Sequence, residues 1–170
     1  MAGASIEIII DDSMFQDAMD GLIERCEDMT PVMLDIGEMM VESVRENFLD
    51  QGRPEKWEPL AQSTALGIIG GKKGWTKRGR IKVGAERRLQ DKMILIGKGN
   101  AGGLMGSFAY KAESDSVAIG TPKVYGAIQN FGGDAGRNHA SHIPARPYLV
   151  AQDEDVEKIK EEITRYILGK

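Results

Sequence analysis

The run Ser107-Phe108-Ala109-Tyr110-Lys111-Ala112-Glu113-Ser114-Asp115-Ser116-Val117-Ala118-Ile119-Gly120 alternates apolar and polar side chains on either side of a Ser-Asp turn. Period-two alternation puts one side-chain set on a single face, so the stretch predicts a β-hairpin. Just upstream, the apolar residues 93–96 predict a strand leading into it. Downstream, 124–131 predicts a short helix closed by Gly132-Gly133, followed by a polar Gly/Asn/His loop. Residues 143–150 then predict an extended segment, which Pro144 and Pro147 restrict to an edge or an irregular strand. The chain ends in a predicted helix with Asp153 as cap, Glu154 and Asp155 at the positive end of the dipole, and Val156, Ile159, Ile163 and Ile167 as its buried stripe.

Toward the N-terminus, Thr30-Pro31 combines a cap with proline at the first helical position, where the missing N–H costs nothing. A helix is expected from there to about Leu49, with Val32, Met33, Ile36, Met39, Met40, Val44 and Phe48 as its apolar face. Before it, Ser13 is expected to cap a helix whose stripe is Met14, Phe15, Ala18, Met19, Leu22, Ile23 and Cys26. Residues 5–10, alternating and then rich in isoleucine, predict a first strand. The whole reads as α+β, a mostly antiparallel sheet with amphipathic helices packed on one face.

Between residues 50 and 92 the periodicity fades under repeated Gly and Pro, with one short helix expected near 64–68. A structureless loop of that length is rare inside a compact domain, so 50–103 reads as a long arm of a single domain spanning 1–170, ordered against neighbouring subunits. The stretch 70–103 carries about +8 and the rest of the chain about −12, for a net charge of −4. Such polarity is expected where copies of one chain meet through unlike patches, or where a basic arm touches nucleic acid.

With 170 residues, 41% of them hydrophobic and 6% aromatic, the chain supports one mainly aliphatic core. A lone cysteine, Cys26, excludes an internal disulfide and any zinc site built on several thiolates, and is expected to be a buried small hydrophobe. The N-terminus has no basic region and 6–10 is too short to span a bilayer, so the expectation is a chain made in the cytoplasm with no membrane partner.

The candidate chemistry is thin. His139 and His142 lie three apart with only Asp134 nearby, too few ligands for a metal centre, so no metal is expected. There is no Gly-x-Ser-x-Gly elbow, and no carboxylate pair stands in an apolar pocket. Gly97-Lys98-Gly99-Asn100-Ala101-Gly102-Gly103 lacks the Gly-Lys-Ser/Thr ending of a phosphate loop and reads as a tight turn. No catalysis and no cofactor are expected. The basic run has Trp75 in its midst but no DNA-reading motif, which leaves non-specific DNA contact or subunit contact.

Three segments resemble the phage virion morphogenesis family, which includes tail completion proteins of P2-like phages and the G protein of Mu-like phages. The first, Phe48 through Thr64, holds Trp57, Pro59, Leu60 and Thr64 in a Trp-x-Pro-Leu-x-x-x-Thr pattern. The second holds Leu104 and Ser107 before the hairpin, then Gly120, Tyr125, Phe131 and Gly132. The third is Ile143-Pro144-Ala145-Arg146-Pro147-Tyr148-Leu149. The Gly-x-Leu-x-x-Ser element departs from the family pattern, with extra glycines and Met105 at a usually charged position.

The same residues have a physical reading. Trp57 with Pro59 and Leu60 can anchor the arm, worth a few kcal/mol at roughly 25 cal/mol per Å² of buried apolar surface. Phe131 and Gly132 read as an aromatic contact and a permissive helix cap, with core packing favoured for Trp57 and Phe131. Arg146, held between stiff residues, offers a fork for a carboxylate that can belong to the next subunit.

The resemblance implies a non-enzymatic virion protein acting in tail completion or termination and head-tail joining, as a ring suggested to hold six copies. Its implied partners are itself, the tail tube protein and the head-tail connector proteins. Subunit or partner contact is expected at Trp57, Lys72, Lys73, Lys77, Arg78, Arg80, Arg87, Arg88 and Arg146. The alternative is a DNA-contacting connector in the neck that uses the basic segment. A hydrolase is the weakest reading.

Overall fold

Helix α2 (Thr30–Leu49) is the axis of the computed structural model, which describes residues 12–97 and 103–169. It starts one residue earlier than Thr30-Pro31 predicts, with Met29 and not Thr30 at the cap position, and the Thr30 N–H donates to Asp28 Oδ1 at 2.9 Å. Thr30, through its side chain and then its backbone N–H, holds the Asp28 carboxyl below the usual carboxylate range. The predicted apolar face is buried except for Met39, which is half-exposed, and it feeds two clusters. Val32, Met33, Ile36 and Met40 pack against Ala112, Val117, Ile119, Ile159, Ile163 and Tyr166. One end of the helix inserts Val44 and Phe48 among Trp57, Leu104 and Tyr148.

The hairpin forms as read, β1 (Ala109–Ala112) against β2 (Val117–Gly120), with Tyr110 opposite Ile119. It lies so close to α2 that a Cβ on Gly37 would stand 2.2 Å from the Tyr110 ring. The fold is α+β, but the described strands form two separate two-stranded antiparallel sheets instead of one sheet under a helical layer. The second sheet, β3 (Gly133–Ala135) with β4 (Ser141–Ile143), falls in the segment read as a polar loop and ends where the extended segment was expected to begin. Residues 93–96 form no strand. Ile94, Leu95 and Ile96 pack on the Phe48 cluster instead.

Several expectations are corrected at the helices. Helix α1 (Ser13–Glu27) has Asp12, not Ser13, at its cap position, and it buries no residue. Met14 is 85% and Phe15 63% exposed, and Cys26 is exposed, because α1 touches the body chiefly beside the end of the C-terminal helix, where Arg25 Nε donates to the Ile167 carbonyl at 2.9 Å. In α6 (Asp153–Ile167) the cap is Gln152, whose N–H donates to Asp155 Oδ2. Asp155 is buried and Val156 exposed, since Ser43 Oγ donates to the same carboxylate at 2.5 Å and a satisfied polar group can occupy a core position. The predicted strand over 5–10 and the centre of the 97–103 turn lie outside the described residues.

The stretch read as a structureless arm is built. Helix α3 (Gln62–Ile68) appears as expected, and α4 (Val83–Gln90) was not foreseen. Between them Trp75 pairs with Ile81, and the Lys82 N–H reaches the Gly74 carbonyl at 2.8 Å. Ile69 and Ala85 are both buried inside this unit. Gly74 approaches the Ile69 carbonyl so closely that a Cβ there would be 2.2 Å away.

Candidate assembly surfaces

The three motif segments converge on one aromatic cluster. Phe48 meets Trp57 edge-on at 5.5 Å between ring centroids and stacks on Tyr148 at 5.1 Å, while Phe108 packs edge-on against Tyr148. Trp57 Nε1 donates to the Pro147 carbonyl at 3.0 Å, so the first motif is stitched to the third. Tyr148 Oη donates to the Gly126 carbonyl at 2.7 Å, and Asn130 Oδ1 accepts from the Tyr148 and Leu149 N–H groups, which stitches the third to the second. Burial pushes the Tyr148 phenol above its usual value. Ser107 Oγ caps the Leu104 carbonyl and lies 2.6 Å from Thr121 Oγ1. Trp57, Leu104 and Tyr148 therefore build the body.

The remaining motif residues divide. Gly132 takes φ +73° as a helix cap, with the Ala145 nitrogen 2.7 Å from where a Cβ would stand, so a permissive residue is required there. Leu60 and Pro144 are half-buried, while Pro59, Thr64, Gly120, Tyr125 and Pro147 are exposed. Phe131 was expected in the core and is 77% exposed, because α5 (Gly126–Phe131) turns its last residue outward while Asn130 points in.

A polar clasp at the end of α2 escaped the sequence reading. Arg53 Nη1 pairs with Glu46 at 2.7 Å and Glu154 at 3.0 Å, its Nη2 donates to the Ser43 carbonyl and hydroxyl, and its Nε donates to the buried Asn47. Asn47 Nδ2 in turn donates to the Tyr148 carbonyl at 2.9 Å. Gln51 joins the two stems of the excursion, accepting from the Ile94 N–H and donating to the Phe48 carbonyl. The only sequence signal for this clasp is its place in a Gly-Arg-Pro turn.

On the α3–α4 unit Lys72, Lys73, Lys77, Arg78, Arg80, Arg87 and Arg88 are all exposed. Arg88 donates to the Ile69 carbonyl at 3.3 Å, and none of them forms an ion pair among the described residues. Trp75 stands among them, 37% exposed. The unit is thus a folded cationic surface attached to an acidic body.

Of the predicted contact residues two are buried, Trp57 in the aromatic cluster and Arg146. Arg146 is 6% exposed, its N–H is fixed to the Gln129 carbonyl at 2.9 Å, and its Nη2 reaches only the Glu58 carbonyl at 3.3 Å. Burial lowers its pKa from the ordinary arginine value, opposed by the nearby Glu58 charge. It lines a pocket of about 410 Å³ between α3, residues 94–95 and β4. On the rim, His142 Nδ1 lies 2.8 Å from Asp134 Oδ1, a contact between exposed groups. No group of three or more His, Cys, Asp and Glu able to hold a metal occurs among the described residues, and no described helix is long and apolar enough to cross a membrane.

Residues 10–168 match the model of the phage virion morphogenesis family. The chain is 29% identical over 162 residues to Mu-like prophage FluMu G protein 2 of Haemophilus influenzae, covering 95% of each chain. No solved structure matches it.

Proposed function

This chain belongs to the phage virion morphogenesis family, and from that premise we propose that it is a structural assembly protein that completes the tail and joins it to the head as a closed homo-oligomeric ring. The observation that carries this reading is the folded cationic unit between Gln62 and Gln90, whose exposed lysines and arginines form no ion pair among the described residues although the rest of the chain is acidic. Unlike patches on one polypeptide favour head-to-tail contacts, and such contacts close into rings when the rotation between copies divides a full turn. Complementary potentials also speed encounter and fix register.

On this reading the protein works by association, without bond-making chemistry. Its cationic unit meets the acidic face of the next copy, one rim of the ring meets the tail tube, and the other meets the connector. A count of six is what the family resemblance implies. The protein then resides in the virion at the tail or neck, after assembly in the host cytoplasm. The deciding experiment is electron microscopy of particles from a phage or prophage lacking this gene. Unjoined or overlong tails, restored to normal by supplying the gene in trans, are expected, and sealed, attached tails in its absence would overturn the reading.

A second reading, a connector that touches DNA, is favoured by the same cations with Trp75 standing among them.

A further inference from the structure

Arginine keeps its charge in a protein, and its guanidinium is all donor. Burying that charge is tolerated when its N–H groups find acceptors, ideally a carboxylate. Arg146 breaks this rule. Only one of its side-chain donors is used, at 3.3 Å, and its Nε is the one buried side-chain polar atom without a partner among the described residues. Glu58 is near enough to be felt, yet no carboxylate among the described residues forms an ion pair with Arg146.

The backbone that carries this guanidinium is held in place, and the residue is buried. Proline stands on the carboxyl side of Arg146, and the Arg146 N–H is bonded to Gln129. The pocket it lines is open to the surface and combines apolar walls, Leu60, Leu95 and Pro144, with polar ones, Thr64, Gln129 and His142. At about 410 Å³ it has room for a side chain with its methylene stem. That combination suits Asp or Glu, which present one or two methylenes behind a carboxylate.

We propose that this pocket receives the carboxylate of an acidic side chain from a second copy of the chain, so that Arg146 is completed only across a subunit contact. A second copy is the fitting source because, outside residues 70–103, this chain carries a charge of about −12, much of it on the exposed faces of α1, α2 and α6. This inference rests on the reading that copies associate and names one of their contacts.

The test supplies the carboxylate within the same chain. Thr64 is exposed on α3 and lines the same pocket as Arg146, so Thr64→Glu places a carboxylate in that pocket without disturbing the core, and Thr64→Gln controls for size. Sedimentation and native mass spectrometry of the full chain are expected to show self-association weakened roughly 10-fold or more by Thr64→Glu, with its melting temperature equal to or above wild type. Thr64→Gln is expected to associate like the wild type. Unchanged association of Thr64→Glu, an equal loss in both variants, or a wild type monomeric at every concentration would each overturn the inference. The first two leave the virion-assembly reading standing, since the particles made without the gene decide that separately.

Discussion

Gly37 sits inside a helix of 20 residues, where alanine is normally preferred by about 1 kcal/mol. The structure reverses that preference, because a Cβ at Gly37 would fall 2.2 Å from Tyr110 Cδ2 and 2.6 Å from Cγ. Gly37→Ala is therefore expected to destabilise the protein by roughly 1–3 kcal/mol, as overpacking does. In a Tyr110→Ala background the same change is expected to become neutral or stabilising, and chemical denaturation of the four proteins in the cycle reads this directly. Equal effects in both backgrounds would show that Tyr110 does not rest on the helix backbone. Periodicity marks Gly37 as a mere weak spot, since nothing in the one-dimensional pattern says that a ring from the hairpin needs the missing side chain.

Elements announced by backbone chemistry were legible, and elements made by tertiary contact were not. Thr30-Pro31 and the period of Val32, Ile36 and Val44 suffice for α2, and the alternation on either side of Ser114-Asp115 suffices for β1 and β2. Val83–Gln90 offers only Ala85 and Leu89 as inward residues beside a glycine, so its helix becomes visible only once Ala85 is seen buried in the unit that also holds Ile69. β3 contains Gly133 and Asp134, poor strand formers that are held by pairing with Ile143 and His142. Of the candidate site, Trp57 and Arg146 could be singled out from their neighbours, whereas Arg53 could not, because its partner Glu154 lies 101 residues away and nothing in the pattern brings the two together.

The entry to α2 carries its own test. A carboxyl with a depressed pKa stabilises the fold above its ordinary value, and that contribution is lost as pH falls through the depressed one. Asp28→Asn keeps an acceptor for the Thr30 N–H while removing the titration. Melting temperatures measured from neutral pH downward are expected to fall less steeply for Asp28→Asn than for wild type below about pH 4. Parallel curves would mean that Asp28 does not feel Thr30.

At the scale of the whole molecule, one chain holds a compact acidic body and a cationic outwork. If the outwork meets DNA, retention on a DNA column weakens steeply with salt, and neutralising Arg87 and Arg88 together shallows the dependence by about two counterions. If it meets protein alone, retention is weak even at low salt and insensitive to that double change. Binding curves at several salt concentrations separate the two readings. The excursion that carries these cations leaves the body after Trp57 and returns at Ile94, and Gln51 clasps the return beside the departure. A loop tied at its base burdens the body little, since each doubling of its length costs only about 0.6 kcal/mol. The segment is thus an exchangeable cassette, and a lineage can rewrite what this protein grips without redesigning what keeps it folded.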